Sequence, residues 1–301
     1  MFKGFSHSER GASHEKKGTV CQDSSLFGVR ERYAVAVVAD GHGSKKHFRS
    51  DVGSKCAVEA GLETIDRFYE DAEAFEKNFP RNRKIILNNI GKQIISNWNA
   101  KITEHYKNNP VTDKEKEPFT AEEFEAIPFE SYYGTTLILA VISPLFTFGL
   151  QIGDGSLVTV LADGRAVMPL GYEEDNPANI TASICNANAA SMFESFYFNG
   201  TRKVAAVYTS TDGLYTSFGN EHDFLDYHSI ITSQMSDMDS FKETVFRNMA
   251  KRTHYGTEDD ISLSCVINNE VLEENLAKIN ETVAKNKQRA QERKAKMLAK
   301  N

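Results

Sequence analysis

Short apolar runs separated by polar turns recur along this chain, a pattern typical of β-strands. Strand-like runs occupy residues 33–39, 135–142, 147–152, 157–161, 204–209 and 261–267, several of them bounded by Gly, Pro or Asp-Gly. In LVTVLADGRAVMPL an Asp-Gly turn at Asp163 and Gly164 separates two such runs, which predicts a hairpin. Hairpins favour antiparallel pairing of the strands.

Two early segments carry helical spacing instead. Apolar residues recur every three or four positions at Val58, Leu62, Ile65 and Tyr69, and again at Leu87, Ile90, Ile94, Trp98 and Ile102. Such a stripe predicts a helix that packs one face on a core. Strands joined by hairpins, with two long helices inserted early, indicate a mainly antiparallel α+β layered domain in which the helices cover a sheet.

Polar segments lie between and after these predicted strands and helices. Residues 108–130, with three prolines and many acids, predict a mobile surface connection. Residues 171–203 predict an irregular flap beside whatever site the strands build. Beyond residue 268, helical spacing returns at 272, 276, 279 and 283 and gives way to a basic run. We therefore expect a domain at 1–268 and a helical, basic C-terminal tail at 269–301.

The composition and charge of the chain limit the classes of partner that we expect. The formal net charge is −7, and no basic cluster lies in the predicted domain, so we expect no nucleic-acid partner. No apolar run approaches the roughly 20 residues that span a bilayer, and the N-terminal residues lack the apolar core of a secretory signal, so we expect no membrane partner and a cytoplasmic location. The four cysteines are widely spaced without CxxC, which favours neither zinc nor disulfides.

Aspartates mark the ends of four of the predicted strands. Asp40, Asp154 and Asp212 follow strand-like runs and are each followed by Gly, and Asp259 precedes the last run. If that last strand is antiparallel to its neighbours, all four acids meet at one edge of the sheet. Asp163 precedes Gly as well, but there the dipeptide reads as an ordinary turn.

Four clustered carboxylates need a neutralising charge, because like charges raise one another's pKa and cost stability. Divalent cations supply that charge. Hard oxygen ligands drawn from separate segments, without supporting cysteines, favour Mg²⁺ or Mn²⁺ over zinc or copper.

Six short motifs also follow one another in the order of a known family: CQDS (21–24), DGHG (40–43), GTT (134–136), GDG (153–155), STDGL (210–214) and DDIS (259–262). Together they resemble the metal-dependent serine/threonine phosphatases of the protein phosphatase 2C (PPM) family, of the bacterial type. The resemblance covers about residues 1–268. It implies two packed antiparallel β-sheets flanked by helices, an αββα sandwich.

The resemblance also implies roles for individual residues. Asp40 would bridge two metal ions, Mn²⁺ or Mg²⁺, with the carbonyl of Gly41 completing the first coordination sphere. Asp212 and Asp259 would hold the second ion, and Asp154 with Asp212 a third, weaker one. Two further residues complete the set: Asp23 would act through ordered water, and His42 would be the general acid that protonates the leaving oxygen.

The family pattern is not complete in this sequence. Many members carry an arginine shortly before the Gln/Glu-Asp pair to bind the substrate phosphate, and none stands there. The nearby cationic candidates are His14, Lys16 and Lys17, with Arg10 further away, and lysine binds phosphate only as a point charge. Gln22 replaces the more frequent Glu, and Gly155 replaces the usual Ser after Asp154.

The resemblance predicts hydrolysis of phosphoserine or phosphothreonine in protein substrates by a metal-activated hydroxide, with a cognate kinase as a further partner. Two alternatives stay open from the residues alone. The same metal chemistry could act on a small phosphoester, or the chain could be a catalytically weak binding protein that keeps the fold. Retention of the principal carboxylates argues against the second alternative.

Overall fold

The continuous apolar runs become strands that are buried on both faces, which is why they do not alternate. The structure is a computed structural model that describes residues 1–171 and 181–298. In the run AVAVVA, Val35, Val37 and Ala39 face one core. Ala34, Ala36 and Val38 face another core on the opposite side. A strand between two cores gains burial from every side chain.

The described residues contain ten strands. They are β1 (Phe2–Glu9), β2 (Ser24–Val29), β3 (Ala34–Ala39), β4 (Leu137–Ile142), β5 (Phe146–Ile152), β6 (Ser156–Leu161), β7 (Ala166–Val167), β8 (Glu194–Asn199), β9 (Val204–Ser210) and β10 (Ile261–Asn268). One sheet has the order β1-β10-β9-β6-β7 and the other the order β2-β3-β4-β5-β8. All neighbouring strands are antiparallel.

Helices cover both outer faces. They are α1 (Ala12–Lys17), α2 (Ser50–Phe68), α3 (Ala72–Asn108), α4 (Asp113–Lys116), α5 (Ala121–Glu125), α6 (Ala189–Met192), α7 (Asp212–Thr216), α8 (Glu221–Ser233), α9 (Met238–Arg252) and α10 (Asn269–Leu298). Helices α2 and α3 pack on the sheet that contains β3, and α8, α9 and α10 pack on the other. The predicted αββα sandwich with a C-terminal helix is confirmed.

The two early helices are longer than their apolar stripes. The first begins at Ser50, eight residues before the first apolar position counted in the sequence, and the second runs over 37 residues. It contains Pro80 and departs from helical geometry at Asn82 (φ −112°, ψ 17°), so it is kinked there. Trp98 joins the helices by donating its indole N–H to the carbonyl of Gly53 at 3.0 Å.

Several elements have no counterpart in the strand and helix predictions. Strands β1, β2 and β8 lie at or near sheet edges and bury few side chains each, so their sequences mix apolar and polar residues without a clear period. Helices α8 and α9 carry polar residues along much of their length. Their apolar residues bury on a sheet that exists only after the chain has folded.

The acidic connection after α3 contains regular structure. Helices α4 and α5 each begin with a capping box, at Thr112 with Glu115 and at Thr120 with Glu123. The buried guanidinium of Arg49 binds the Glu115 carboxylate at 2.7 and 3.1 Å. This ion pair fastens the connection to the start of α2, and the expected mobility stays a prediction.

The flap predicted at 171–203 is described in part, since residues 172–180 lie outside the described residues. Its remainder holds α6 and the edge strand β8, which pairs with β5. At the C-terminus, Leu272 and Ile279 of α10 are fully buried against the domain. The division at residue 268 stays a prediction. Among the described residues, no helix is long and apolar enough to cross a bilayer.

Candidate active site

Strand directions bring the four strand-end aspartates to one end of the sandwich. Strands β3 and β5 both pair with β4 and therefore run parallel, so Asp40 and Asp154 leave their sheet at the same edge. Strands β9 and β10 are antiparallel neighbours, so Asp212 after β9 lies beside Asp259 before β10. The expectation that all four acids share an edge of one sheet was wrong, because each of the two packed sheets contributes two.

A cleft of about 250 Å³ opens where these edges meet. Its lining residues are His14, Gln22, Asp23, Asp40, Gly41, His42, Gly43, Thr136, Asp154, Thr181, Asp212, Asp259 and Asp260. The site residues expected from the sequence are all in that set except the cationic candidates Arg10, Lys16 and Lys17, of which Lys16 and Lys17 lie exposed on α1. Among the described residues the cleft thus holds six carboxylates, and its lining side chains able to carry positive charge are two imidazoles.

Backbone contacts fix the segment that carries Asp40. The amide of Asp40 donates to the Thr136 hydroxyl at 2.9 Å, and the Asp40 carbonyl accepts from the Thr135 hydroxyl at 2.8 Å. Gly41 then passes between two other segments, where a Cβ would lie 2.6 Å from the carbonyl oxygen of Gln22 and 2.7 Å from that of Ser50. Any side chain at this position would push the loop out of the cleft, so the second residue of Asp-Gly-His-Gly must be glycine.

A second close approach joins Asp212 to the start of β10. A Cβ on Gly213 would lie 2.1 Å from the carbonyl oxygen of Asp260, so only glycine lets the start of α7 approach that segment. The Thr211 hydroxyl precedes this turn and donates to Asp23 at 2.7 Å. The same hydroxyl accepts the amide of Ser262 at 2.9 Å. Thr211 therefore ties β2, β9 and β10 together beneath the acids.

Asp154 contacts the predicted flap. The Thr181 hydroxyl donates to the Asp154 carboxylate at 2.7 Å, so the first described residue after position 180 reaches the cleft. Asp154 and Asp259 are the exposed members of the acid cluster, whereas Asp23 and Asp260 are buried. The cluster consequently spans the depth of the cleft from floor to mouth.

The acids perturb one another strongly. Burial raises the pKa of Asp40 well above its usual range, and the charges of Asp23, Asp212 and Asp154 raise it further. Burial also raises the pKa of Asp23. It raises the pKa of Asp212 to about 6, with Asp154 and Asp259 adding to the shift and a hydrogen bond to Asp40 opposing it. Carboxylates this close cannot all be ionised at neutral pH without added positive charge.

The donor set fits divalent metal ions. Carboxylates without a Lys or Arg partner among the described residues, together with a backbone carbonyl at Gly41, are hard oxygen donors of the kind that Mg²⁺ and Mn²⁺ prefer. Among residues 1–171 and 181–298, no three His, Cys, Asp or Glu side chains are already arranged as a set of metal ligands.

His42 lies beside the acids in a largely buried position. Its amide donates to the carbonyl of Gly134 at 3.1 Å, and its ring lies 4.9 Å from the ring of His47. Burial, then the neighbouring His47, lowers the pKa of His42 to about 4, although Asp154 acts in the opposite direction. His42 is therefore neutral at pH 7 when the cleft holds no further charge.

Asp260 is the residue that the sequence pattern did not single out. Its buried carboxylate accepts from the amide of Gly11 at 2.6 Å and from the amide of Gln22 at 2.7 Å. It also pairs with Nδ1 of His14 at 2.9 Å. Its position directly after Asp259 in DDIS was the one available signal, but nothing local showed that the two acids differ in role.

Comparisons with known proteins agree with this geometry. The model of the family described as protein phosphatase 2C matches residues 10–251. No curated protein sequence matches the chain. Among solved structures, the S. agalactiae serine/threonine phosphatase has a TM-score of 0.56 at 15% identity, over 89% of this chain and 99% of that one.

Two other solved structures are similar. PppA, described as a key regulatory component of T6SS in Pseudomonas aeruginosa, gives a TM-score of 0.52 at 15% identity, over 88% of this chain and 97% of that one. The catalytic domain of the serine/threonine protein phosphatase PstP was solved in complex with two manganese ions. It gives a TM-score of 0.51 at 13% identity, over 88% of this chain and 97% of that one. At these identities the likeness concerns the fold.

Proposed function

The chain belongs to the protein phosphatase 2C family and is a protein phosphatase, and from that premise we propose that it hydrolyses phosphoserine and phosphothreonine in proteins with divalent metal ions held by the cleft. The observation that carries this proposal is the convergence of six carboxylates from both sheets on one cleft without a lysine or arginine among its lining residues. Bound cations would stabilise such a site by neutralising its carboxylates.

The residues that would hold the ions are those that the family resemblance implies, and all of them line the cleft. Asp40 and the carbonyl of Gly41 would serve one ion, and Asp40 with Asp212 and Asp259 the other. The exposed Asp154 would hold a third, weaker ion with Asp212, and the buried Asp23 would act through water. When bound, Mn²⁺ or Mg²⁺ lowers the pKa of water enough to supply a nucleophile at neutral pH and offsets the charge that develops at phosphorus.

His42 would donate the proton that the leaving serine or threonine oxygen requires. It lines the cleft next to Asp40, and its pKa of about 4 makes it neutral in the free protein. A phosphate dianion beside the ring favours the protonated imidazole, because an opposite charge raises a histidine pKa. The proton would then be taken up with the substrate and delivered to the departing oxygen.

His14 would contact the substrate phosphate in place of the family's arginine. Asp260 binds Nδ1 of His14, so Nε2 of the same ring is the nitrogen left for a ligand, and His14 lines the cleft. A carboxylate bound to one nitrogen fixes the orientation of the ring. Lys17, on the same helix, lies outside the cleft lining.

A phosphopeptide panel tests the proposal against its alternatives. Purified protein should release phosphate from phosphoserine or phosphothreonine peptides in Mn²⁺ or Mg²⁺ and should stop in EDTA. Turnover restricted to small phosphoesters would favour the first alternative, and metal binding without turnover would favour a binding protein. A cytoplasmic location and a cognate kinase stay predictions from the sequence.

A further inference from the structure

The ring of His42 is held by packing and not by polar contacts. In the part of the chain that the structure describes, neither ring nitrogen of His42 has a hydrogen-bond partner. The backbone of the residue is fixed, because its amide donates to the carbonyl of Gly134 at 3.1 Å. The side chain can still rotate about two bonds, so the direction of its nitrogens depends on the groups packed against it. A proton donor works only when it points at the atom that takes the proton.

His47 packs against this ring. The centres of the two imidazoles lie 4.9 Å apart, with an angle of 53° between the ring planes. Both rings also cover the same glycine, since a Cβ on Gly134 would lie 2.6 Å from Cε1 of His47 and 3.1 Å from Cδ2 of His42. The three residues therefore form one packed layer, in which the missing side chain at Gly134 leaves room for the two imidazoles.

The surrounding fold fixes the position of His47. The residue is 7% exposed and ends a single 3₁₀ turn at Lys45–His47, where its amide donates to the carbonyl of Ser44 at 2.9 Å. Its Nδ1 donates to the carbonyl of Ser131, which also accepts the amide of Gly134 at 3.2 Å. Because a carbonyl can only accept, this bond fixes both the orientation of the His47 ring and the nitrogen that carries its hydrogen.

The partner of His47 lies at the end of the acidic connection after α3. Ser131 belongs to a 3₁₀ turn at Phe129–Tyr133, and the amide of Arg49, two residues after His47, donates to the carbonyl of Tyr132 in that turn at 2.8 Å. His47 is not among the described residues that line the cleft, whereas the histidine that it contacts is. A residue in this place can influence the reaction only through His42.

We propose that His47 is a positioning residue for His42 and holds the His42 ring in the orientation from which it protonates the leaving oxygen. The inference rests on the proposed function, because the proton transfer concerned is the one assigned there to His42. A ring that is fixed before the substrate arrives transfers its proton faster than one that must first find its orientation. A histidine that only filled space in the core would affect folding and would leave the preference between substrates unchanged.

Two substitutions separate the contributions of His47. His47→Phe keeps an aromatic ring against His42 and removes the hydrogen bond to Ser131, whereas His47→Asn keeps a donor near the place of Nδ1 and removes most of the ring. His105→Asn is the matched control, because that imidazole binds the Tyr133 hydroxyl at 2.9 Å in the same region but outside the described cleft lining. All variants are full-length proteins in Mg²⁺, and melting temperatures establish that they are folded.

The kinetic effect should depend on the leaving group. His47→Asn should lower kcat on a phosphothreonine peptide by roughly 10- to 100-fold and on an activated aryl phosphate by less than about threefold, because only the poor leaving group needs the proton. His47→Phe should stay within about threefold of the wild type on both substrates, and His105→Asn within about twofold. Added to His42→Ala, His47→Asn should change kcat by no more than about twofold, since the two residues act as one unit.

A second measurement does not depend on turnover. The proton on Cδ2 of His42 should show a nuclear Overhauser effect to the α protons of Gly134, because this carbon lies close to the place that a Cβ on Gly134 would take. The His42 signals are identified by their loss in His42→Ala. The effect should persist in His47→Phe and His105→Asn and should weaken or vanish in His47→Asn.

Three results would overturn the inference: equal losses of kcat on the two substrates in His47→Asn, additive losses when it is combined with His42→Ala, or an unchanged nuclear Overhauser effect in His47→Asn. A loss in His47→Phe as large as that in His47→Asn would also overturn it, because the ring contact would then not be the cause. If the wild type turns over no phosphoester, the proposed function fails, and the nuclear Overhauser measurement alone decides whether His47 sets the orientation of the His42 ring.

Discussion

The ring of His14 and the carboxylate of Asp260 form a hydrogen-bonded pair at 2.9 Å although 246 positions separate them in the chain. Asp260 is buried and also accepts the amides of Gly11 and Gln22, so it anchors both ends of the segment that carries His14. One carboxylate thereby sets the shape of the cleft wall and the orientation of the imidazole.

Replacing this carboxylate should affect stability and activity together. Asp260→Ala leaves two amides without an acceptor and should lower the free energy of unfolding by about 2–4 kcal/mol, because each unpaired buried donor costs about 1–3 kcal/mol. His14→Ala removes one of the three partners and should cost less stability while raising KM for a phosphopeptide. Urea unfolding and steady-state kinetics measure the two effects. A larger loss of stability in His14→Ala would contradict the role given to Asp260.

Substitution of the aspartates at the strand ends should lower kcat, whereas substitution of the aspartate in the hairpin turn should not. Asp40→Asn and Asp212→Asn should each lower kcat on the order of 10²- to 10³-fold, because each removes charge at the reacting centre. Asp163→Asn changes the same residue type in a turn whose glycine packs on α10 and whose residues do not line the cleft. It should leave kcat unchanged, and equal losses in all three variants would refute this sorting of the Asp-Gly pairs. Circular dichroism provides the check on folding.

Stability of the metal-free protein should fall as pH rises from about 4 to 6. Asp212 has a folded pKa of about 6 against a reference of 3.8, so in this window the folded state retains a proton that the unfolded state has lost. Mg²⁺ replaces such protons and should raise the melting temperature more at pH 7.5 than at pH 5. Thermal denaturation in EDTA and in Mg²⁺ measures both trends. Equal stabilisation by Mg²⁺ at the two pH values would count against a carboxylate site.

The effect of replacing His42 should depend on the leaving group of the substrate. A proton donor matters most when the departing oxygen is a poor leaving group, so His42→Ala should slow an alkyl phosphate or phosphothreonine peptide by about 10²- to 10⁴-fold and an activated aryl phosphate much less. Rates with both substrates at saturating Mn²⁺ provide the comparison. Equal losses would assign His42 a structural role beside His47.

The C-terminal helix should divide into a packed part and a dispensable part. Leu272 and Ile279 are fully buried, and Thr282 donates to the carbonyl of Asp163 at 2.6 Å, whereas the partly exposed Arg293 forms ion pairs with Asp223 and the half-buried Asp226. Truncation after Val283 should change the melting temperature little, because such pairs contribute about 0–1 kcal/mol.

Truncation before Leu272 exposes an apolar core and should lower the melting temperature clearly or prevent folding. Calorimetry on both truncated proteins tests the division. A loss of turnover on a small aryl phosphate after the shorter truncation would show instead that the basic end of the helix influences the cleft.

Local pattern was sufficient for the central parts of the fold. The runs that became β3, β4, β5, β6, β9 and β10 are apolar because these strands are enclosed by cores, and the stripes of α2 and α3 are apolar on the face that packs. The Asp163 hairpin follows from its turn residues alone. In each case a few neighbouring residues in the sequence are enough to predict the element.

The sequence by itself also marked the acids, because Asp-Gly at the end of an apolar strand is visible without knowing where the strand goes. Only the tertiary structure decided that Asp40 and Asp154 come from one sheet and Asp212 and Asp259 from the other, since strand order depends on pairing between distant segments. The edge strands and Asp260 were hidden for the same reason. Their partners lie far away in the chain, and a buried carboxylate that accepts three long-range hydrogen bonds has the same local sequence as one that accepts none.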